Sequence, residues 1–204
     1  MTMPTLLGDF YDLDREHVVS PIEGWPFQAQ YVETHSRPST GETLRRQGPL
    51  SRNGQGSVRR EHILNGAPGE HDIQRKLVCV QDRGGIVRLF DSMTRQTQKI
   101  DFNAVLRGKG GGSPGGACPV PADQGSSADV DISRELLGTR VIEGFLCHGI
   151  RHRMGDEVSE TWLAGDLKIE MLQVGESPTW KKEYRVFNIT LGEPDPDLFA
   201  LPNA

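Results

Sequence analysis

The stretch from Gly108 to Ala128 holds the two patterns of this chain that come nearest to known chemistry. Gly110, Gly112 and Gly115 satisfy GxGxxG, in which backbone amides close on a pyrophosphate. That use requires a strand before the loop and a helix after it, with the helix N-terminus meeting the phosphate; Pro114, Cys118 and Pro119 stand here instead. Gly111, Ser113 and Gly115 satisfy GxSxG, the serine-hydrolase elbow. There the residue after the serine lends its N–H to the oxyanion hole, and Pro114 has none. Neither pattern supports catalysis.

The six histidines invite a search for a metal site. His148 and His152 share a face of one expected strand but stand about 13 Å apart along it, too far for one ion. His62 and His71 flank the turn-like Asn65–Gly69 and find no third ligand. Glu143, Glu157 and Glu160 fall where a sheet end places solvated carboxylates. Arg59 and Arg60 beside Glu61 read as strand salt bridges. No cofactor and no metal ion is called for by these patterns. Trp25, Trp162 and Trp180 are large anchors expected to be mostly buried.

The elements that would position such residues are strands. Phe27, Ala29 and Tyr31 alternate with glutamines, and Leu167, Ile169 and Met171 alternate with Lys168 and Glu170. Near the C-terminus Phe187, Ile189 and Leu191 are expected to point inward, with Val186, Asn188 and Thr190 outward. Further strands are expected at 42–51, 57–64, 76–82, 86–91, 97–102, 135–143, 145–153 and 157–163. Short Gly, Asn, Asp and Pro connections such as Asp82–Gly85 make them antiparallel hairpins. Helix signals are confined to short stretches near 9–17 and 102–107. The Gly/Pro/Ser-rich segment 108–128 reads as a flexible loop within one domain spanning 1–204.

A net charge of −5 offers no positive field for a phosphate backbone, so nucleic acid is not an expected partner. No apolar run reaches the length of a transmembrane segment, and no signal peptide is visible at Met1–Leu7. Three cysteines are too few for a disulfide framework. A Cys79–Cys147 bridge would need an oxidising compartment and neighbouring strands.

The C-terminal half carries a more specific pattern. Leu137–Gly144, Cys147–Arg151, Glu160-Thr161-Trp162-Leu163, Asp166-Leu167, Tyr184–Ile189 and Gly192–Phe199 occur in that order, preceded by Arg52–Glu61. The series resembles uncharacterised bacterial envelope proteins and, more distantly, the lipoprotein-carrier superfamily of LolA-like carriers and RseB-like sensor domains. The resemblance implies a mainly β fold, a curved antiparallel sheet or half-open barrel with few short helices, in a periplasmic or extracellular setting. It also implies a non-enzymatic protein that holds a lipid, an acyl chain or a hydrophobic segment, with a lipoprotein as a possible cargo. The residues that alternation offers to such a cavity are Phe27, Tyr31, Val80, Phe90, Phe145, Trp162, Ile169, Met171 and Phe187. Two alternatives stand beside this reading. One is an interaction or sensor module using an open sheet edge, and the other an enzyme with a site drawn from His62, His148, His152 and acidic residues.

Overall fold

Along Phe27–Tyr31 the odd residues are buried and the even ones exposed, as an extended backbone with one face on a core requires. The computed structural model describes residues 25–64, 75–101 and 132–202. Within these ranges the strands are β1 (Phe27–Arg37), β2 (Glu42–Arg52), β3 (Val58–Leu64), β4 (Arg75–Gln81), β5 (Ile86–Asp91), β6 (Gln96–Asp101), β7 (Ile132–Ile142), β8 (Phe145–Met154), β9 (Glu157–Ala164), β10 (Ile169–Glu176) and β11 (Lys181–Leu191). A short 3-10 helix follows at Pro196–Phe199. The expected loop at 108–128 and the helix signals near 9–17 and 102–107 lie outside the described residues.

All eleven strands join one antiparallel sheet in the order β6-β5-β4-β3-β2-β1-β11-β10-β9-β8-β7. The first six strands step outward from the middle and the last five step back inward from the other edge, so β1 and β11 meet at the centre. The sheet is not closed: β6 and β7 are its two edges. The mainly β, incompletely closed architecture expected from the sequence is therefore present. The sheet is also far from flat. β8 lies three places from β11, about 14 Å away in a flat sheet. Yet Glu143, in the β7–β8 turn, accepts hydrogen bonds from Arg185 Nη2 at 3.0 Å and from the Asn188 N–H at 3.3 Å. Glu143 and Gly144 both take positive φ, 51° and 85°, the backbone a two-residue hairpin needs to follow the strand twist.

Bulges reset which residues face the core. Between β1 and β11 the register passes from Gln28↔Thr190 to Gln30↔Phe187, with the extra residue accommodated at Asn188, φ 55°. This corrects the expected alternation of the last strand. Val186 sits opposite Tyr31 and is fully buried, Phe187 is only half-buried, and Leu191 is 45% exposed. Trp25 is also a correction: it precedes the alternating pattern of β1, and its indole is 54% exposed.

The main apolar cluster occupies one face of the sheet, here termed the core face. It runs from Phe27, Leu50 and Val58 through Tyr184 and Val186 to Met171, Trp162 and Cys147. A smaller patch of Leu77, Cys79, Val87 and Leu89 continues it onto β4 and β5. On the opposite face of those strands, Val78, Val80 and Phe90 pack under Phe199 and Leu201 of the C-terminal tail. Cys79 and Cys147 are both buried thiols outside any disulfide, on strands seven places apart, which removes the bridge considered from sequence.

Candidate functional site

The nine residues expected to line a cavity divide between two faces. Phe27, Tyr31, Trp162, Ile169 and Met171 belong to the main cluster, with Phe145 partly buried against it. Val80 and Phe90 lie on the opposite face, covered by the C-terminal tail. Phe187 follows buried Val186 and pairs with exposed Gln30, which turns it away from the core face. Apolar residues at neighbouring positions of a strand must point oppositely, and apolarity alone does not say which side is shared.

The core face carries a polar region that the apolar pattern did not show. Tyr31 of β1 has Gly48 of β2 as register partner. The phenol reaches past β2 to β3, where the Tyr31 hydroxyl donates to the Glu61 carbonyl at 3.0 Å and lies 2.6 Å from His62 Nδ1; the missing Cβ of Gly48 lets the Glu61 backbone come close to β2. Because the hydroxyl proton is used on the carbonyl, His62 Nδ1–H is the donor in the second bond, and Nε2 is left as the acceptor nitrogen. Burial, then the nearby Arg60 and Arg46 charges, hold the His62 imidazole well below its ordinary pKa, so it is neutral. Burial likewise pushes the Tyr31 phenol far up and the Tyr184 phenol to about 12, keeping both protonated.

The two tyrosine rings lie 6.0 Å apart, and the Arg60 guanidinium stands 5.6 Å from the Tyr31 ring centroid. Two residues on from Tyr31 along the same face, buried Glu33 meets His35 Nε2 at 2.5 Å and the Lys182 ammonium at 3.9 Å. The chemistry on offer is hydrogen bonding and charge beside hydrocarbon. The signal in the sequence was the i, i+2 series Tyr31, Glu33, His35, together with a glycine in mid-strand at position 48.

A second ring crosses a strand, here directly over a glycine. Trp162 of β9 lies over Gly149 of β8, where an added Cβ would stand 2.7 Å from the indole, and its ring stacks at 3.9 Å on Arg140 of β7. On the outer side Arg59 pairs with Glu61 at 2.5 Å, and its Nη1 donates to the carbonyls of Leu198 and Ala200, pinning the C-terminal tail. Burial alone would raise the Glu61 pKa, but hydrogen bonds from Lys76 and Arg59 outweigh it and hold the carboxyl below its usual value. Of the histidines weighed for a metal, His62 is buried, His148 and His152 are exposed on β8, and His71 lies outside the described residues. Glu160 and Glu143 are engaged by Arg151 and Arg185. Among the described residues no three His, Cys, Asp or Glu side chains converge as a metal site, and no helix is long and apolar enough to cross a membrane.

No family model matches the sequence, and no curated protein matches it. Several solved structures are similar to this chain at a distance. The crystal structure of MucB is 14% identical at a TM-score of 0.47, covering 88% of this chain and 58% of MucB. The complex structure of Pseudomonas aeruginosa MucA/MucB gives 14% identity and 0.46, covering 96% of this chain and 59% of that one. A putative outer membrane lipoprotein-sorting protein domain from Vibrio parahaemolyticus gives 10% identity and 0.36, covering 87% and 91%. The chain thus spans somewhat under three-fifths of the length of MucB.

Proposed function

We propose that this is a non-enzymatic binding protein of the cell envelope that holds a lipid, an acyl chain or a hydrophobic segment against the core face of its open sheet. The carrying observation is the apolar cluster running from β3 to β8 across that face of one curved, unclosed sheet. A sheet normally buries its apolar face against a second layer. Where the partner is a ligand, removal of hydrocarbon from water supplies the affinity. Phe27, Tyr31, Phe145, Trp162, Ile169 and Met171 are the residues proposed to meet it, and Val80, Phe90 and Phe187 are reassigned to the other face.

Native mass spectrometry of freshly purified protein tests the reading, with a co-purified lipid as the expected result. Acyl chains bearing a nitroxide should quench Trp162 emission, measured as the difference between the wild type and Trp162→Phe. Protein that emerges empty and shows no such quenching overturns the proposal. An envelope location is checked by fractionating cells that express the full chain.

Protein interaction at an open edge is a second reading, for which the exposed side chains of β7 speak although its bulge does not. This edge strand leaves Leu136 and Val141 77% and 68% exposed. The bulge between Leu136 and Gly138 interrupts it as a template for a partner strand. Substituting Leu136 and Val141 by lysine would abolish partner capture on this reading and leave lipid binding intact.

A further inference from the structure

Several buried or half-buried cations among the described residues face carboxylates, and Arg52 does not, which the ligand reading explains. Arg59 pairs with Glu61, Arg75 with Asp91, and Lys182 lies near Glu33. Arg52, the last residue of β2, is fully buried, and its single hydrogen bond to protein runs from Nη2 to the Trp25 carbonyl at 2.9 Å. Its Nε and Nη1 are buried with no hydrogen-bond partner, and among the described residues no carboxylate pairs with it. The guanidinium instead stands 5.2 Å from the centroid of Phe27. Burial lowers its pKa, with no acidic neighbour to offset the effect. Leaving N–H donors of a cation bare in an apolar site is costly, and the cost is removed when an anion accepts from them.

The location is informative. Register places Arg52 between Phe27 of β1 and Val58 of β3, on the core face, and Leu50 lies two residues back along the same face. All three neighbours belong to the main apolar cluster. We propose that Arg52 anchors the anionic head group of the bound ligand, a carboxylate or phosphate ester, while its hydrocarbon lies on Phe27, Leu50 and Val58. This rests on the binding function proposed above and narrows its ligand to an anionic amphiphile. The guanidinium has two orphan nitrogens to offer, enough for separate bonds to two oxygens of one head group. Because those nitrogens are closed from solvent, the head group enters only as the surrounding side chains part.

The test compares three probes with one chain length on the full-length protein by titration calorimetry below their micellar concentrations: dodecanoate, dodecyl phosphate and the neutral monolauroylglycerol. The wild type should bind at least one anionic probe about ten- to a hundredfold more tightly than the neutral one, and which anion binds more tightly separates carboxylate from phosphate. In Arg52→Met, which keeps the volume and removes the charge, that preference should disappear while the neutral probe binds as before. Equal anionic preference in wild type and variant, or no preference in the wild type, overturns the assignment of Arg52. Failure of all three probes to bind the wild type sinks the binding function itself. Should Arg52→Met not fold, the Arg52 Nε–H resonance of the wild type decides: it must shift with the preferred anion and stay in place with monolauroylglycerol.

Discussion

Replacing Gly48 by alanine would put a methyl carbon 2.1 Å from the Glu61 carbonyl oxygen, a backbone atom that no rotamer change can move aside. Ordinary carbon–oxygen contact needs roughly 3.4 Å, so β2 and β3 must separate locally by about 1 Å. That is enough to take a hydrogen bond of about 2.9 Å out of range. The same carbonyl accepts from Tyr31, whose hydroxyl also meets His62, so the crossing of the phenol over β2 is disturbed along with the strand pairing. Overpacking costs about 1–3 kcal/mol, and a buried hydrogen-bonding group left unmade about 1–3 kcal/mol more. The smaller backbone entropy of alanine in the unfolded chain returns about 0.4–1 kcal/mol. The net expectation is a loss of about 3 kcal/mol, or a fall in Tm of about 6–12 °C for a chain of this size. Gly165→Ala is the control, since an added Cβ there meets nothing within 4 Å, and its effect should stay within about 0.5 kcal/mol. Urea unfolding followed by tryptophan emission gives both midpoints. Equal midpoints for the two variants would show that Gly48 is not needed for the close approach of the Glu61 backbone.

Gly149→Ala should drive the Trp162 ring off Arg140, lowering stability by about 1–3 kcal/mol and shifting the emission to the red; unchanged emission would refute the contact. His62 is held neutral when folded, whereas in the unfolded chain it takes up a proton near pH 6.5. Stability should therefore fall by about 1.4 kcal/mol per pH unit as pH drops below about 6.5, with no such effect above it. His62→Gln should lower that slope by one proton between pH 6.5 and 5. Glu61 and Asp91, both held below their usual pKa values, lose their contributions only at lower pH and leave this window clear. Arg59→Ala should release the C-terminal tail, seen as faster amide exchange at Leu198–Leu201, at a cost of about 2–3 kcal/mol; unchanged exchange would show that other contacts hold the tail.

Much of the strand layout was legible before any coordinates. The expected 42–51, 57–64, 86–91, 145–153 and 157–163 agree with β2, β3, β5, β8 and β9 to within a residue at each end. Alternation and turn residues such as Asp82–Gly85 are properties of consecutive positions, and that is why they could be read. The site was legible only in part. Phe27, Tyr31, Trp162, Ile169 and Met171 do share a cluster, but the same criterion also selected Val80 and Phe90, which the C-terminal tail covers from the other side. Nothing near Tyr31 in sequence announces His62, and nothing near Arg52 announces that no carboxylate meets it.

By itself, then, the sequence determined that this chain would be built of amphipathic strands joined by tight turns, because side-chain direction along an extended backbone repeats every two residues. Only the tertiary structure decided that β1 pairs with β11, that a bulge at Asn188 turns Val186 inward in place of Phe187, that Gly48 admits the Glu61 backbone and that Gly149 lets the Trp162 ring cross a strand. Those outcomes depend on which distant strand arrives alongside and in what register, and a register is an agreement between two segments that neither encodes alone.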